Sequence, residues 1–245
     1  LKLTFLGTGT SQGVPVIACD CEVCQSIDFH DKRLRTSAHI EVNDLSLVID
    51  TGPDFRQQML RERIKKVDAV LFTHEHKDHT AGLDDIRSFN YRQGIEIPVY
   101  AEDRVVSQLK REYSYIFSED KYPGIPQVDI RPLNGEPFQF GDVTITPIKV
   151  MHYKLPVFGF RIGDVTYITD ANHIEDAEKE KIRGSKVLVL NALQKEYHIS
   201  HFTLDQAIAM ALELKAEKTY FTHISHKLGT HREVSAQLPK NIYLA

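Results

Sequence analysis

The stretch VLFTHEHKDH at residues 70–79 decides the reading of this chain. Its first four residues have the apolar character of a buried strand, and the histidines begin where that strand ends. On a helix, residues two apart point away from each other, so His74-Glu75-His76 is not the two-histidine helix of a zinc protease. At the end of an extended run, His74 and His76 face the same side. A tight turn through Asp78 and His79 then presents a second nitrogen–oxygen pair nearby. Neutral imidazole and carboxylate suit zinc, manganese or iron. Four such groups within six residues are too many for one open catalytic metal, so the pattern predicts two metals.

Outward from this cluster, residues 2–6 read as a strand, followed by the loop GTGTSQGVP at 7–15. Residues 36–42 and 45–50 read as a hairpin through Asn43-Asp44, and Pro53 as the first residue of a helix through residue 63. A strand over 67–73, a helical period over 78–93, a strand over 97–101 and a helix from about 102 to 115 complete the first half. The second half returns to short strands at 137–140, 143–151, 158–162 and 165–169, punctuated by Gly-Asp pairs at 141–142 and 163–164. A strand over 186–190, an amphipathic helix over 204–217 and a strand over 218–222 follow. Strand meanders interleaved with helices, twice over, predict an α/β fold of two sheets packed face to face with helices outside, not a doubly wound parallel sheet. Two internal echoes accompany this pattern. VLFTHEH at 70–76 pairs with TYFTHIS at 219–225, and LVIDTG at 47–52 with YITDAN at 167–172. Both put metal-capable side chains at strand ends, where open sheets assemble sites.

The 245 residues suit one large domain or two small ones, and 42% hydrophobic with 26% charged residues is ordinary globular composition. Thirty Lys and Arg against 34 Asp and Glu leave a net charge of −4, which argues against broad binding to a phosphate backbone. No apolar run approaches the roughly 20 residues of a membrane span. The opening KLTFLG run is too short, and too soon broken by Gly7 and Gly9, to read as a leader. Three cysteines make a disulfide framework a poor fit, so a reducing, cytoplasmic setting is expected. Cys19, Cys21 and Cys24 fall within six residues of one loop, one ligand short of a closed tetrahedral zinc site. His226 could supply the fourth.

His74, His76, Asp78 and His79 match the H-x-H-x-D-H motif, and on it the chain resembles the metallo-β-lactamase superfamily over nearly its whole length. The resemblance implies a single domain over 1–245 with an αβ/βα four-layer sandwich, two packed mixed sheets flanked by helices. It also implies further ligands after later strands: His152 after TITPIKVM, Asp170 after VTYIT and His223 after KTYFT. By similarity His74, His76 and His152 hold one metal, Asp78, His79 and His223 the other, and Asp170 bridges. The run FLGTGTSQGVP, the C-x-C-x-x-C loop, IDTGPDFR and THEHKDHTAGLDD together resemble the phosphoribosyl cyclic phosphodiesterases of phosphonate breakdown. By that similarity Cys19, Cys21, Cys24 and His226 hold a structural zinc. HFTLDQAIAMA resembles the stretch in which a histidine, here His201, contacts the scissile phosphate and protonates the leaving group; Thr203 is the better helix cap.

The expected activity is hydrolysis of a small phosphodiester, a cyclic ribosyl phosphate among the candidates, by a hydroxide bridging two zinc or manganese ions. Asp78 enters that catalytic centre as a ligand and not as a free base, with His201 as the acid. A tRNA 3′-processing nuclease is the runner-up, but no Gly/Pro-rich basic arm stands between the motifs, so nucleic acid is not the expected partner. A non-hydrolytic accessory protein of cofactor biosynthesis is the reading from another class. Lys77, Lys154 and Arg161 could hold a second phosphate but read better as surface charges. His30, His39, His173, His198 and His231 read as surface or packing residues. No membrane contact is expected, and the composition permits a homodimer.

Overall fold

Two runs of short strands carry the chain, and each closes into its own mixed sheet. The structure is a computed structural model and describes residues 1–119 and 122–245. Its contacts divide into two units, Leu1–Gly7 with Ser37–Asn134, and Thr8–Thr36 with Gly135–Ala245.

The first unit contains β1 (Lys2–Gly7), β2 (Ser37–Val42), β3 (Leu45–Ile49), β4 (Ala69–Leu71), β5 (Ile97–Ala101) and β6 (Val128–Pro132), in that order across the sheet. The first three pair antiparallel and the rest parallel. Asn43 and Asp44 both take left-handed backbone (φ 47 and 62), the conformation that a two-residue hairpin needs to match strand twist. The core is built on Val48, Phe55, Val70, Phe72, Leu83 and Val99. β4 is shorter than the apolar run suggests, because the Thr73 amide leaves the ladder and donates to Asp50 Oδ1 at 2.9 Å. The helix after β3 spans Phe55–Arg61 and starts later than Pro53, since the Phe55 amide closes a turn onto the Gly52 carbonyl at 3.0 Å. The helix expected over 102–115 is Asp103–Glu112, followed by a 3-10 turn at Ser114–Ile116.

The helical period over 78–93 is broken into three pieces: Lys77–Thr80, a 3-10 turn at Leu83–Ile86, and Arg87–Gln93. Gly82 explains the break. Its amide donates to the Thr51 carbonyl at 2.7 Å, and a Cβ there would lie 2.2 Å from the Gly52 carbonyl oxygen and 2.8 Å from Phe55 Cβ.

The second unit contains β7 (Phe138–Phe140), β8 (Val143–His152), β9 (Leu155–Ile162), β10 (Val165–Tyr167), β11 (Val187–Asn191), β12 (Lys218–Thr222) and β13 (Ile242–Leu244). β7 to β10 form an antiparallel meander, and β10 to β13 are parallel. Gly141 and Gly163 take positive φ at the predicted turns. The helix at Leu204–Leu214 opens on a Thr203–Gln206 capping box and packs Ala207, Ala211 and Leu214 into a core with Ile168, Leu190 and Phe221. β6, β13 and the helices Asp176–Ile182 and His231–Ser235 were not expected; they are short, and β6 carries charge and a proline.

In both sheets the strand at which antiparallel pairing gives way to parallel is followed by an aspartate in left-handed backbone, Asp50 (φ 62) after β3 and Asp170 (φ 54) after β10. Carboxyl ends of strands at such a change of order are where open sheets hold ligands. Gly82→Ala should lower stability by about 2–3 kcal/mol, because backbone must move to admit the methyl. A denaturation midpoint equal to wild type would show that Thr51-Gly52 yields freely.

Candidate metal centres

In the first unit the site is built around Asp50, which is fully buried. Its Oδ2 accepts from the Thr73 hydroxyl at 2.8 Å and from His79 Nδ1 at 2.7 Å, and its Oδ1 from the Thr73 amide. Burial pushes the Asp50 carboxyl pKa up, and His79 beside it works in the opposite direction. These contacts fix the tautomers of two imidazoles. The Thr73 hydroxyl proton is committed to Asp50, so at 2.9 Å His74 Nδ1 must be the donor to that oxygen. His79 Nδ1 likewise donates to a carboxylate. In both rings Nε2 is the nitrogen with a lone pair to offer. His74 Nε2 lies 3.0 Å from His76 Nδ1, and His79 Nε2 lies 3.1 Å from Asp78 Oδ2. The four predicted residues of this unit are thus gathered around two imidazoles held from behind.

In the second unit His152, the last residue of β8, donates from Nδ1 to the Ser200 carbonyl at 2.8 Å, which again leaves Nε2 as the ligand atom. Asp170 is buried, accepts from the Thr169 hydroxyl at 2.6 Å, and has Oδ1 3.1 Å from His223 Nδ1. His223 follows β12 with left-handed backbone (φ 55), and its Nε2 lies 3.2 Å from the Thr10 hydroxyl. His201 lies among them, its ring 4.6 Å from that of His152 and 4.9 Å from that of His223. Its Nε2 is 4.0 Å from Asp170 Oδ2, and its buried Nδ1 has no hydrogen-bond partner among the described residues. Burial pushes the His201 pKa down to about 3, with Asp170 opposing, so the ring is neutral at neutral pH.

The cysteine loop also lies in the second unit. Cys19, Cys21 and Cys24 Sγ stand 3.2, 3.3 and 3.5 Å from a single nitrogen, Nδ1 of His226. Zn–S and Zn–N bonds of about 2.3 and 2.0 Å at tetrahedral angles give S···N edges of roughly 3.5 Å, so the donor set fits a closed zinc site. The Val16 amide donates to Cys24 Sγ at 3.3 Å. The Cys24 amide, above all, holds the Cys21 pKa down to about 6, whereas burial pushes Cys24 up to about 11. A cation among the sulfurs would ionise Cys24 as well.

Asp50 is a further candidate site residue, one that lies outside the H-x-H-x-D-H motif. Its signal was the LVIDTG echo of YITDAN, two strand ends that structure shows to be equivalent. The remaining candidates fall as surface or packing groups. Arg161 donates to the Gly163, Lys181 and Arg183 carbonyls, Lys77 pairs with Glu112 at 2.6 Å, and Lys154 sits over the Tyr153 ring. His39 is bonded to Ser46, His173 pairs with Glu175, and His30 stacks on His231. His198 is the exception, with its ring 5.1 Å from that of His201.

Comparison with known proteins agrees with this geometry. The β-lactamase superfamily domain matches residues 46–224. A solved diphosphatase of the PhnP family is 43% identical, with a TM-score of 0.93 over 99% of this chain and 94% of that one. An octanoyltransferase of Porphyromonas gingivalis is 39% identical over 99% of this chain, but the chain spans only 50% of that protein's length. The coenzyme PQQ synthesis protein B of Bradyrhizobium diazoefficiens is 23% identical over 92% of this chain and 90% of its own. Among the described residues no helix is long and apolar enough to cross a membrane. With its domain match, its two mixed sheets and its strand-end donors, the chain belongs to the β-lactamase superfamily and has the metallo-β-lactamase hydrolase fold of the PhnP-family diphosphatase.

Proposed function

We propose that the chain hydrolyses a small phosphodiester with two divalent metals, zinc or manganese, and carries one structural zinc on Cys19, Cys21, Cys24 and His226. His74, His76 and His152 would hold one catalytic ion, Asp78, His79 and His223 the other, and Asp170 would serve both. The observation that carries this reading is the fixed tautomer of His74, His79 and His152, each with Nδ1 committed to an oxygen and Nε2 left as a ligand atom. Bound there, the metals would supply a hydroxide nucleophile at neutral pH and positive charge for the non-bridging phosphate oxygens. His201 would bind the substrate by donating to a phosphate oxygen. Burial favours its neutral form, and a bound anion favours the charged form that can pass a proton to the leaving oxygen. A small substrate, and not a nucleic acid, is supported by the net charge of −4. The octanoyltransferase name belongs to a protein of which this chain spans half, and acyl transfer is not part of the proposal.

Metal-reconstituted protein should open 5-phosphoribosyl 1,2-cyclic phosphate and cleave bis(p-nitrophenyl) phosphate, with about three metals counted per chain. A diphosphate diester belongs in the same assay, because the PhnP-family relative is named a diphosphatase. Metal bound without turnover of any of the three would favour the accessory-protein reading. Asp170→Ala should lose at least one metal and about 10²–10³-fold in turnover, the size expected for removing one electrostatic group of the site. Asp50→Asn keeps the volume but removes acceptors for Thr73 and His79, and should weaken catalytic-metal affinity by about 10–100-fold in a chelator competition. Cys24→Ser should release one zinc and lower the melting temperature. At free zinc a hundredfold above its dissociation constant, an intact site adds about 2.7 kcal/mol to stability. Unchanged melting with and without zinc would remove the structural role.

A further inference from the structure

We propose that Asn191 is a positioning residue, its carboxamide fastening the amide and the carbonyl of Ala171 so that Asp170 and His201 are held at a fixed separation. The assignment rests on the reading of Asp170 as metal ligand and His201 as phosphate contact. Asn191 ends β11 and is fully buried. Its Oδ1 accepts from the Ala171 amide at 2.8 Å, and its Nδ2 donates to the Ala171 carbonyl at 2.9 Å. A side chain that pairs with both the N–H and the C=O of one residue must present a donor and an acceptor at the same reach. Aspartate lacks the donor, serine is too short for both bonds, and glutamine is one methylene longer than the fully buried Asn191.

The Ala171 carbonyl takes a second bond, from the Phe202 amide at 2.7 Å. The Ala171 carbonyl therefore ties the residue after Asp170 to the residue after His201. Asp170 itself is held in left-handed backbone, a conformation that persists in a non-glycine residue only where the surroundings enforce it. The Asn191 carboxamide supplies such a restraint, since its Oδ1 holds the amide of the peptide that joins Asp170 to Ala171. On the other side of β11 the Asn191 backbone is in register with Thr222, the residue before His223. Asn191 thus stands between the strand ends that deliver Asp170 and His223, with its side chain committed to the first. The Nε2–Oδ2 separation of 4.0 Å between His201 and Asp170 is the quantity that this arrangement sets.

The test uses metal-reconstituted Asn191→Asp, with Asn191→Ser as the second variant should the first not fold. Zinc affinity is read by competition with a chromophoric chelator, and the Ala171 and Phe202 amides by hydrogen exchange. Turnover of bis(p-nitrophenyl) phosphate completes the set. The expected result is faster exchange at Ala171, a loss of about 10–100-fold in affinity for the His/Asp-bound metals, and zinc at the cysteines unchanged. The rate constant kcat should fall while KM stays within about twofold. Ala171 exchange that is faster, with metal affinity and kcat within twofold of wild type, overturns the proposal, as does a lower melting temperature with metals and kcat unaffected. A wild-type protein that binds metal only at its cysteines overturns the reading of Asp170 itself, and is told apart because it needs no variant.

Discussion

A carboxylate with no access to water governs the first unit's donor set. A buried charge is tolerated only when every lone pair facing the protein is matched, and Asp50 meets that demand with the amide and hydroxyl of Thr73 and a nitrogen of His79. Each of those matches has a consequence beyond Asp50. Diverting the Thr73 amide ends β4, committing its hydroxyl fixes the tautomer of His74, and taking Nδ1 of His79 fixes the other ring. The histidine loop is ordered from behind before any ligand reaches it, which is what a metal site needs in order to bind without reorganising.

The second unit uses the same position for a different purpose. Asp170 occupies the place in its sheet that Asp50 occupies in the first, at the end of the strand where pairing changes direction. Asp50 faces inward to orient a histidine, whereas Asp170 stands beside His201 and His223. The second echo does not follow topology in this way. His74 comes after β4, the first parallel neighbour of β3, but His223 comes after β12, the second along from β10. The place corresponding to His74 is taken by the end of β11, where Asn191 lies.

Much of the site was legible because its residues are chemically rare and sit at strand ends. His74, His76, Asp78 and His79 stand out together, as do Cys19, Cys21 and Cys24, because spacing within a loop constrains where side chains can go, whereas His226, 202 positions beyond Cys24, joins them through family likeness. His152 comes only through family likeness, and so does the ligand role of Asp170 and His223, which the sequence otherwise shows only as echoed strand ends. Asp50 shows in the sequence only as an echoed strand end and Asn191 not at all, since what defines their roles is hydrogen bonding to residues 20 or more positions away. The strand pattern was read well where apolar residues alternate, and lost accuracy at Gly82 and Pro53, where one close backbone contact or one turn overrides a helical period. β6, with charged residues and a proline, has the composition of an edge and not of a core strand.

The order of the chain gives the cysteine site a role in time as well as in space. The second unit is discontinuous: its residues 8–36 are made first, and the rest of it only after the whole of Ser37–Asn134. Cys19 and His226 are 207 positions apart. A link across a loop of that length removes about 5 kcal/mol of chain entropy from the unfolded ensemble, if it acts as a disulfide does. During synthesis the three thiols must therefore wait for His226, which is added only after the whole of Ser37–Asn134. The metal proposed there would suit such a clasp better than a disulfide, because the thiols could exchange metal while they wait and commit to one partner only when His226 arrives.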